Sequence, residues 1–203
     1  MKTKKTFLPL ALAAVCLLLV ACSTTKNQPE MAQVLPAVIF AFNAQGECYA
    51  TNPQKISAKE FAQLAKDGGL RWVSTHRVLG NGKLEEDDYY HRIRGKSPLS
   101  YYFEGGKCYS YFFNNATGRI TSNPYSFKYD EADNSLTIND FLMFKIVRMN
   151  DEEVSVIGPF GTDENGQRIY AYTVYRRMDA KGVAEMKAKL TLDPPLIKVD
   201  QSE

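Results

Sequence analysis

Tyr125-Ser126-Phe127-Lys128-Tyr129-Asp130-Glu131-Ala132-Asp133-Asn134-Ser135-Leu136-Thr137-Ile138 is the stretch that decides the fold. Tyr125, Phe127 and Tyr129 alternate with Ser126 and Lys128, and Leu136 and Ile138 alternate with Ser135 and Thr137. A period of two marks a strand with one face on a core and the other in water. Between the two runs, Asp130 to Asn134 supplies side chains that hydrogen-bond their own backbone, which is turn chemistry. The stretch predicts a β-hairpin.

The same pattern continues in both directions. Strand candidates fall at 70–79, 98–104, 107–114, 119–129 (bent at Pro124), 134–139, 142–149, 153–158 and 168–177. They are separated by Gly80-Asn81-Gly82, Gly105-Gly106, Asn114 to Gly118, Asn150-Asp151 and Asp163-Glu164-Asn165-Gly166, as well as the turn at Asp130–Asn134. Links this short pair sequence neighbours antiparallel. The expectation is a mainly β fold, an eight-stranded antiparallel up-and-down barrel or, failing that, a sandwich.

Two helices frame the strands. Ser57 with Glu60 three residues on is a capping box, and Ile56 with Phe61 is the matching hydrophobic staple. Phe61, Leu64 and Ala65 fall on one face, and Gly68 is read as the left-handed stop. A second helix begins after Asp179, with Val183, Met186 and Leu190 on one side, before Pro194-Pro195. Ahead of the first helix, Pro36 to Phe42, the turn Asn43 to Gly46, and Glu47 to Ala50 read as a small hairpin laid on the main body.

The amino terminus carries a different message. Lys2, Lys4 and Lys5 precede an apolar run of fifteen residues, Phe7 to Ala21, the charge-then-apolar order of a secretory signal. It is shorter than the ~20 residues a spanning helix needs. It ends Leu19-Val20-Ala21-Cys22, which resembles the lipobox of bacterial lipoproteins. That resemblance implies cleavage before Cys22, a diacylated thiol, and an acylated new terminus; two or more acyl chains hold a protein on a membrane where one does so marginally. By the same resemblance, Ser23 directly after the cysteine is compatible with outer-membrane sorting. The acidic cluster that sends some Bacteroidetes lipoproteins to the cell surface is not present after Cys22, so the resemblance leans towards a periplasm-facing protein. The domains so read are 1–21 signal peptide, 22–34 lipidated cysteine and tether, 35–55 hairpin extension, and 56–203 barrel domain with a carboxy-terminal helix and tail. Removing 1–21 leaves 22 basic residues against 23 acidic ones, a net of −1. A near-neutral domain gives no electrostatic case for nucleic acid.

Cys16 leaves with the signal, so Cys48 and Cys108 are the cysteines left to the domain. An oxidising compartment permits them to pair; their aromatic-rich, strand-like surroundings suit lone buried thiols instead. Both alternatives stand at the level of sequence.

From Ile56 to Met178 the chain resembles the lipocalin-like lipoproteins of Bacteroidetes. The matching stretches are Ile56 to Phe61 before a Trp-bearing strand, Ser97 to Phe103, Tyr129 to Ile138, Phe144-Lys145-Ile146, and the closing Tyr175-Arg176-Arg177-Met178. The resemblance implies a calycin-type barrel followed by a helix packed outside it. It further implies a structural plug in which an arginine of the last strand stacks on Trp72. Alternation from Tyr170, Tyr172 and Val174 assigns that role to Arg176.

The sequence carries no nucleophile elbow, phosphate loop, dinucleotide fingerprint or zinc helix. No catalytic residue, metal ligand or cofactor site is therefore assigned. His76 reads as a packed strand residue and His91 as a solvated one. Glu85-Glu86-Asp87-Asp88 lacks the alternating oxygen ligands and central glycine of a calcium loop and reads as a solvated loop. Asn115-Ala116-Thr117 fits the N-glycosylation pattern fortuitously. The aromatic strand residues Tyr101, Phe103, Tyr109, Tyr111, Phe127, Tyr129, Phe144, Tyr170 and Tyr172 are the candidate barrel lining. An eight-stranded barrel holds either a solid core or one small ligand.

The leading expectation is a non-enzymatic lipoprotein, partnered with the membrane through its anchor, presenting an aromatic-lined pocket to a small apolar or amphipathic molecule. The alternatives are an envelope accessory protein with a solid barrel working through protein contacts, and a surface glycan binder.

Overall fold

The computed structural model describes residues 37–86, 99–114 and 119–189. The readings placed on the signal, Cys22 and its tether, His91, Asp87-Asp88, Asn115-Ala116-Thr117, Leu190 and Pro194-Pro195 lie outside the described residues.

The first element is the hairpin of β1 (Phe40–Phe42) and β2 (Cys48–Ala50). One side chain shapes its turn: Asn43 Oδ1 accepts from the amides of Gln45 at 3.0 Å and Glu47 at 2.8 Å. The capping box forms as expected at α1 (Ala58–Leu64), with the Glu60 amide donating to Ser57 Oγ at 3.2 Å and the Ser57 amide donating to Glu60 at 2.7 Å. The stop differs from expectation. Asp67 is the left-handed residue (φ 62°), and Gly68 is required for closeness instead: a Cβ there would lie 2.3 Å from the Leu64 carbonyl oxygen.

Ten strands follow: β3 (Gly69–Val78), β4 (Leu84–Glu86), β5 (Leu99–Glu104), β6 (Lys107–Asn114), β7 (Arg119–Tyr125), β8 (Phe127–Asp130), β9 (Ser135–Ile138), β10 (Phe141–Met149), β11 (Glu153–Thr162) and β12 (Arg168–Met178), then α2 (Ala180–Lys189). They form one antiparallel sheet in the order β7-β6-β5-β3-β12-β11-β10-β9-β8, with β4 added beside β3. The first long strand meets the last, with Trp72 opposite Tyr175 and Thr75 opposite Thr173. The result is a nearly closed, barrel-like sheet.

The strand number exceeds the predicted eight for two reasons. The candidate at 119–129 divides at Ser126: β7 pairs with β6 while β8 pairs with β9. The bend that Pro124 announced is thus a change of partner. Second, Glu85 and Glu86, read as loop, belong to β4 opposite Arg77 and His76.

Both faces of the sheet are covered. The interior holds Leu70, Trp72, Tyr101, Phe103, Cys108, Leu136, Ile138, Phe144, Ile146, Val154, Val156 and Tyr175, with Phe61 and Leu64 of α1 closing one end. Outside, β1–β2 lies on Val78, Val147, Ile157 and Tyr170, and Val183 and Met186 of α2 lie on Tyr102, Tyr109 and Tyr111. Asp179 starts α2, its carboxylate accepting from the Gly182 amide at 2.7 Å.

Candidate functional site: a pocket at the open seam

The interior is unevenly filled. At the α1 end, Phe61 stacks on Tyr129 (4.3 Å between ring centroids) and meets Phe103 and Phe127 edge-on at 6.0 and 6.2 Å. Above them Tyr101, Phe144 and Tyr175 form a triangle with centroids 5.8 to 6.2 Å apart. Such offset and edge-on contacts are the favoured aromatic geometries. A polar thread crosses the same space, from the Trp72 indole N–H to Thr75 Oγ1 at 2.9 Å and on to Thr173 Oγ1 at 3.1 Å.

Beyond the triangle, filling stops. A pocket of about 260 Å³ is lined by Tyr101, Ser110, Tyr125, Ile138, Asn139, Phe141 and Met143. Its residues come from β5, β6 and β7 on one side and from β9, β10 and their turn on the other. It therefore lies at the seam where the sheet fails to close. The last backbone bond across that seam is from the Asn139 amide to the Ser126 carbonyl, at 2.9 Å. The β9–β10 turn that ends the wall is built from Asn139 and Asp140, both left-handed (φ 51° and 63°). Just after it, Phe141 is 70% exposed at the rim. Met143 reaches the pocket from a bulge, since the β9–β10 register slips between Leu142 and Phe144. Gly158 makes room for that bulge: a Cβ there would lie 2.5 Å from the Met143 carbonyl oxygen.

The predicted lining divides cleanly. Tyr101, Phe103, Phe127, Tyr129 and Phe144 belong to the interior, and of these only Tyr101 borders the pocket. Tyr109 and Tyr111 point outward beneath α2. Tyr170 and Tyr172 also point outward, where Phe42 and Phe40 of the hairpin cover them at 6.1 and 5.2 Å. Alternation along β12 holds, with its faces assigned the wrong way round. Ala171, Thr173 and Tyr175 are the inward set.

The plug is corrected for the same reason. Arg176 is exposed, opposite Arg71 on one side and Glu153 on the other, whereas Trp72 is an interior residue. Arg177 is the arginine that binds structure, donating to the Asn150 carbonyl at 2.6 Å. The pocket residues Ser110, Tyr125, Ile138, Asn139, Phe141 and Met143 were missed. Tyr125 and Ile138 were legible in the alternation that opens the sequence analysis; the others depend on where the sheet parts.

Two other hollows are present among the described residues. One of about 890 Å³ lies among the turns after β1, β3 and β11. It is larger, but the Asp163 carboxylate that lines it is already committed to its own turn, accepting from the amides of Asn165 and Gln167 at 2.9 and 2.8 Å. The other, of about 240 Å³, lies beside the start of α2. Neither has the apolar walls that bind small molecules by desolvation.

Cys48 and Cys108 are free, buried thiols. They lie on opposite sides of the main sheet, Cys48 on the inner face of the hairpin that covers it and Cys108 in the interior. Burial pushes each thiol up from 9.0 to about 12, and burial likewise pushes the Tyr129 hydroxyl up from 10.0 to about 12. Below pH about 9 folded and unfolded chains both hold these protons. Above it the unfolded chain loses protons that the folded one keeps, so stability falls as pH rises towards 12. Urea denaturation at pH 8 and pH 10.5 is expected to show a lower midpoint at the higher pH. Both thiols should resist a thiol reagent until the protein unfolds.

No metal-binding group of His, Cys, Asp or Glu occurs among the described residues, and no helix there is long and apolar enough to cross a membrane. No family model, curated protein or solved structure matches the chain, and the geometry of the seam pocket therefore carries the functional assignment.

Proposed function

We propose that this protein is a membrane-tethered, non-enzymatic binding protein that takes one small apolar molecule into the seam pocket. The observation that carries the proposal is the hollow of about 260 Å³ bounded by Tyr101, Tyr125, Ile138, Phe141 and Met143. An apolar cavity with few polar groups is the usual form of a small-molecule site, and a large apolar side chain left exposed at its rim is consistent with use. Counting β7 and β8 as one bent strand, and setting β4 aside as a hairpin appendage, leaves eight strands in up-and-down order. That count supports a lipocalin-like assignment. The tether is supported by the basic start, the apolar run and the Leu19-Val20-Ala21-Cys22 sequence; Ser23, and the lack of an acidic cluster after Cys22, are in keeping with outer-membrane attachment facing the periplasm.

An external tyrosine platform for sugars has less support. Tyr109, Tyr111 and Tyr170 are buried under other elements, whereas stacking on a sugar needs an open ring face.

The test is titration with the apolar fluorophore N-phenyl-1-naphthylamine. Saturable, one-to-one enhancement is expected for the wild type and its loss for Met143→Trp, which fills the pocket, with thermal melting unchanged. Absence of saturable binding by the wild type would reject the proposal in favour of a solid barrel working through protein contacts. Fatty-acid labelling of the full chain, lost in Cys22→Ser, tests the tether.

A further inference from the structure

The hairpin of β1 and β2 has two unlike faces. Phe40, Cys48 and Ala50 are buried in the cluster shared with the main sheet, so alternation turns Ile39, Ala41, Tyr49 and Thr51 outward. Ala41 stands opposite Tyr49, and the Thr51 amide donates to the Ile39 carbonyl at 2.8 Å, which gathers the four side chains into one patch. Ile39 is 59% exposed and Tyr49 44%.

Charge sets this patch apart. Val73, Leu84 and Phe141 are the other large apolar side chains exposed among the described residues, and each has charged neighbours in the chain. Arg71 stands two places before Val73, Lys83 and Glu85 flank Leu84, and Asp140 precedes Phe141. From Ala37 to Gln54 the one charged residue is Glu47, held at the turn by the Asn43 side-chain amide, which donates to its carboxylate at 3.0 Å. None of the four outward side chains is charged, so covering them desolvates no ion.

Place in the chain names the occupant. On the tether proposed above, which this inference rests on, the hairpin is the first described element after the lipidated Cys22. Ile39 is 17 residues from that cysteine, so it lies no more than about 60 Å from the acyl chains whatever path the linking residues take. A patch of four side chains is far below the ~20–30 residues a side of a stable protein–protein interface. It suffices for a surface already held beside it, because tethering makes the second contact intramolecular. An uncharged face of Ile and Tyr suits the headgroup boundary of a bilayer, where tyrosine is favoured and binding scales with buried apolar area.

We infer that the outer face of the β1–β2 hairpin is a lipid-contacting surface, laid on the membrane that carries the anchor. With no lysine or arginine in the patch, the contact depends on apolar burial rather than on anionic headgroups, and salt leaves it in place.

The experiment uses the full acylated chain in vesicles of phosphatidylethanolamine and phosphatidylglycerol that carry a doxyl-labelled lipid. Ala41→Cys and, on α2, Lys181→Cys are each labelled with nitrobenzoxadiazole; Cys48 and Cys108 are buried and Cys22 is acylated, so the new thiol takes the label. The label at 41 is expected to shift to the blue and to be quenched by the doxyl lipid, at low and high salt alike, and the label at 181 to do neither. Ile39→Ser combined with Tyr49→Ser should abolish the quenching at 41 while the chain stays on the vesicles. A chain that does not float with the vesicles removes the tether and the inference together. A vesicle-bound chain with no quenching at 41, equal quenching at 41 and 181, or quenching that high salt abolishes or the paired serines leave intact, overturns the inference and leaves the tether standing. A blue shift at 41 that grows with protein concentration in the Cys22→Ser chain, without vesicles, overturns it in favour of a second copy.

Discussion

Phe61→Ala is expected to cost about 3–5 kcal/mol of stability and to be the most damaging single truncation in α1. Phe61 is 3% exposed and lies against three rings from two strands, Phe103 of β5 and Phe127 and Tyr129 of β8. A seven-residue helix has little stability of its own, so what holds α1 in the barrel end is this side chain together with Leu64. Removing the ring leaves a hollow that the surrounding strands cannot collapse into, because their backbones are fixed by ladder bonds. Urea denaturation followed by tryptophan emission measures it, with Trp72 as the reporter. Lys59→Ala, on the exposed side of the same helix, should stay within about 0.5 kcal/mol of wild type. A loss below about 1.5 kcal/mol for Phe61→Ala would show that α1 does not close the barrel.

Asn134→Ala should lose a similar amount, about 3–5 kcal/mol, by another mechanism. The Asn134 amide nitrogen donates to the carbonyls of Gln54 at 2.6 Å and Ile146 at 3.1 Å. Its oxygen accepts from the Ile56 amide at 3.2 Å and lies 3.1 Å from the Tyr129 hydroxyl, which is also 3.0 Å from the Ile56 carbonyl. One side chain thus ties the approach to α1, the β8–β9 turn and β10 together. Alanine would orphan these groups and would also have to hold φ at 57°. Asn134→Gly separates the two costs. Glycine removes the same bonds but accepts the left-handed backbone, so it should recover about 1 kcal/mol relative to alanine. Equal melting of the two variants would mean that the backbone conformation contributes nothing.

The order of elements was readable in the sequence because each carries its own local cause. Ser57 with Glu60 starts α1, Asn43 and Asp163 shape their turns, and the Tyr125–Ile138 stretch alternates as a hairpin must. Which way the alternating residues faced was not always readable. In β12, Tyr170 and Tyr172 are as apolar as residues of an interior, yet they turn outward, because a hairpin from the other end of the domain covers them. Period two reports that two faces differ; it does not say which is inside when both are covered. Arg176 was misplaced with them. Trp72 and Tyr175 do meet across β3 and β12, but at a point where Val73 is extra in the pairing, and a bulge of that kind has no reliable sequence mark. The pocket was hidden for a related reason. Ser110 looks like any strand serine until the sheet is seen to part beside it.

The break at Ser126 also bears on traffic. Parting the wall of a fully laddered cylinder means rupturing several backbone bonds at once, a slow event. Beside Phe141 no such rupture among the described residues is required. On the proposed reading, passage there would be limited by rotation of the Phe141 side chain and the half-buried Met143, and exposed side chains rotate in picoseconds to nanoseconds. A guest would therefore exchange quickly without loosening the cylinder, and its residence time would be governed by the contacts it makes inside.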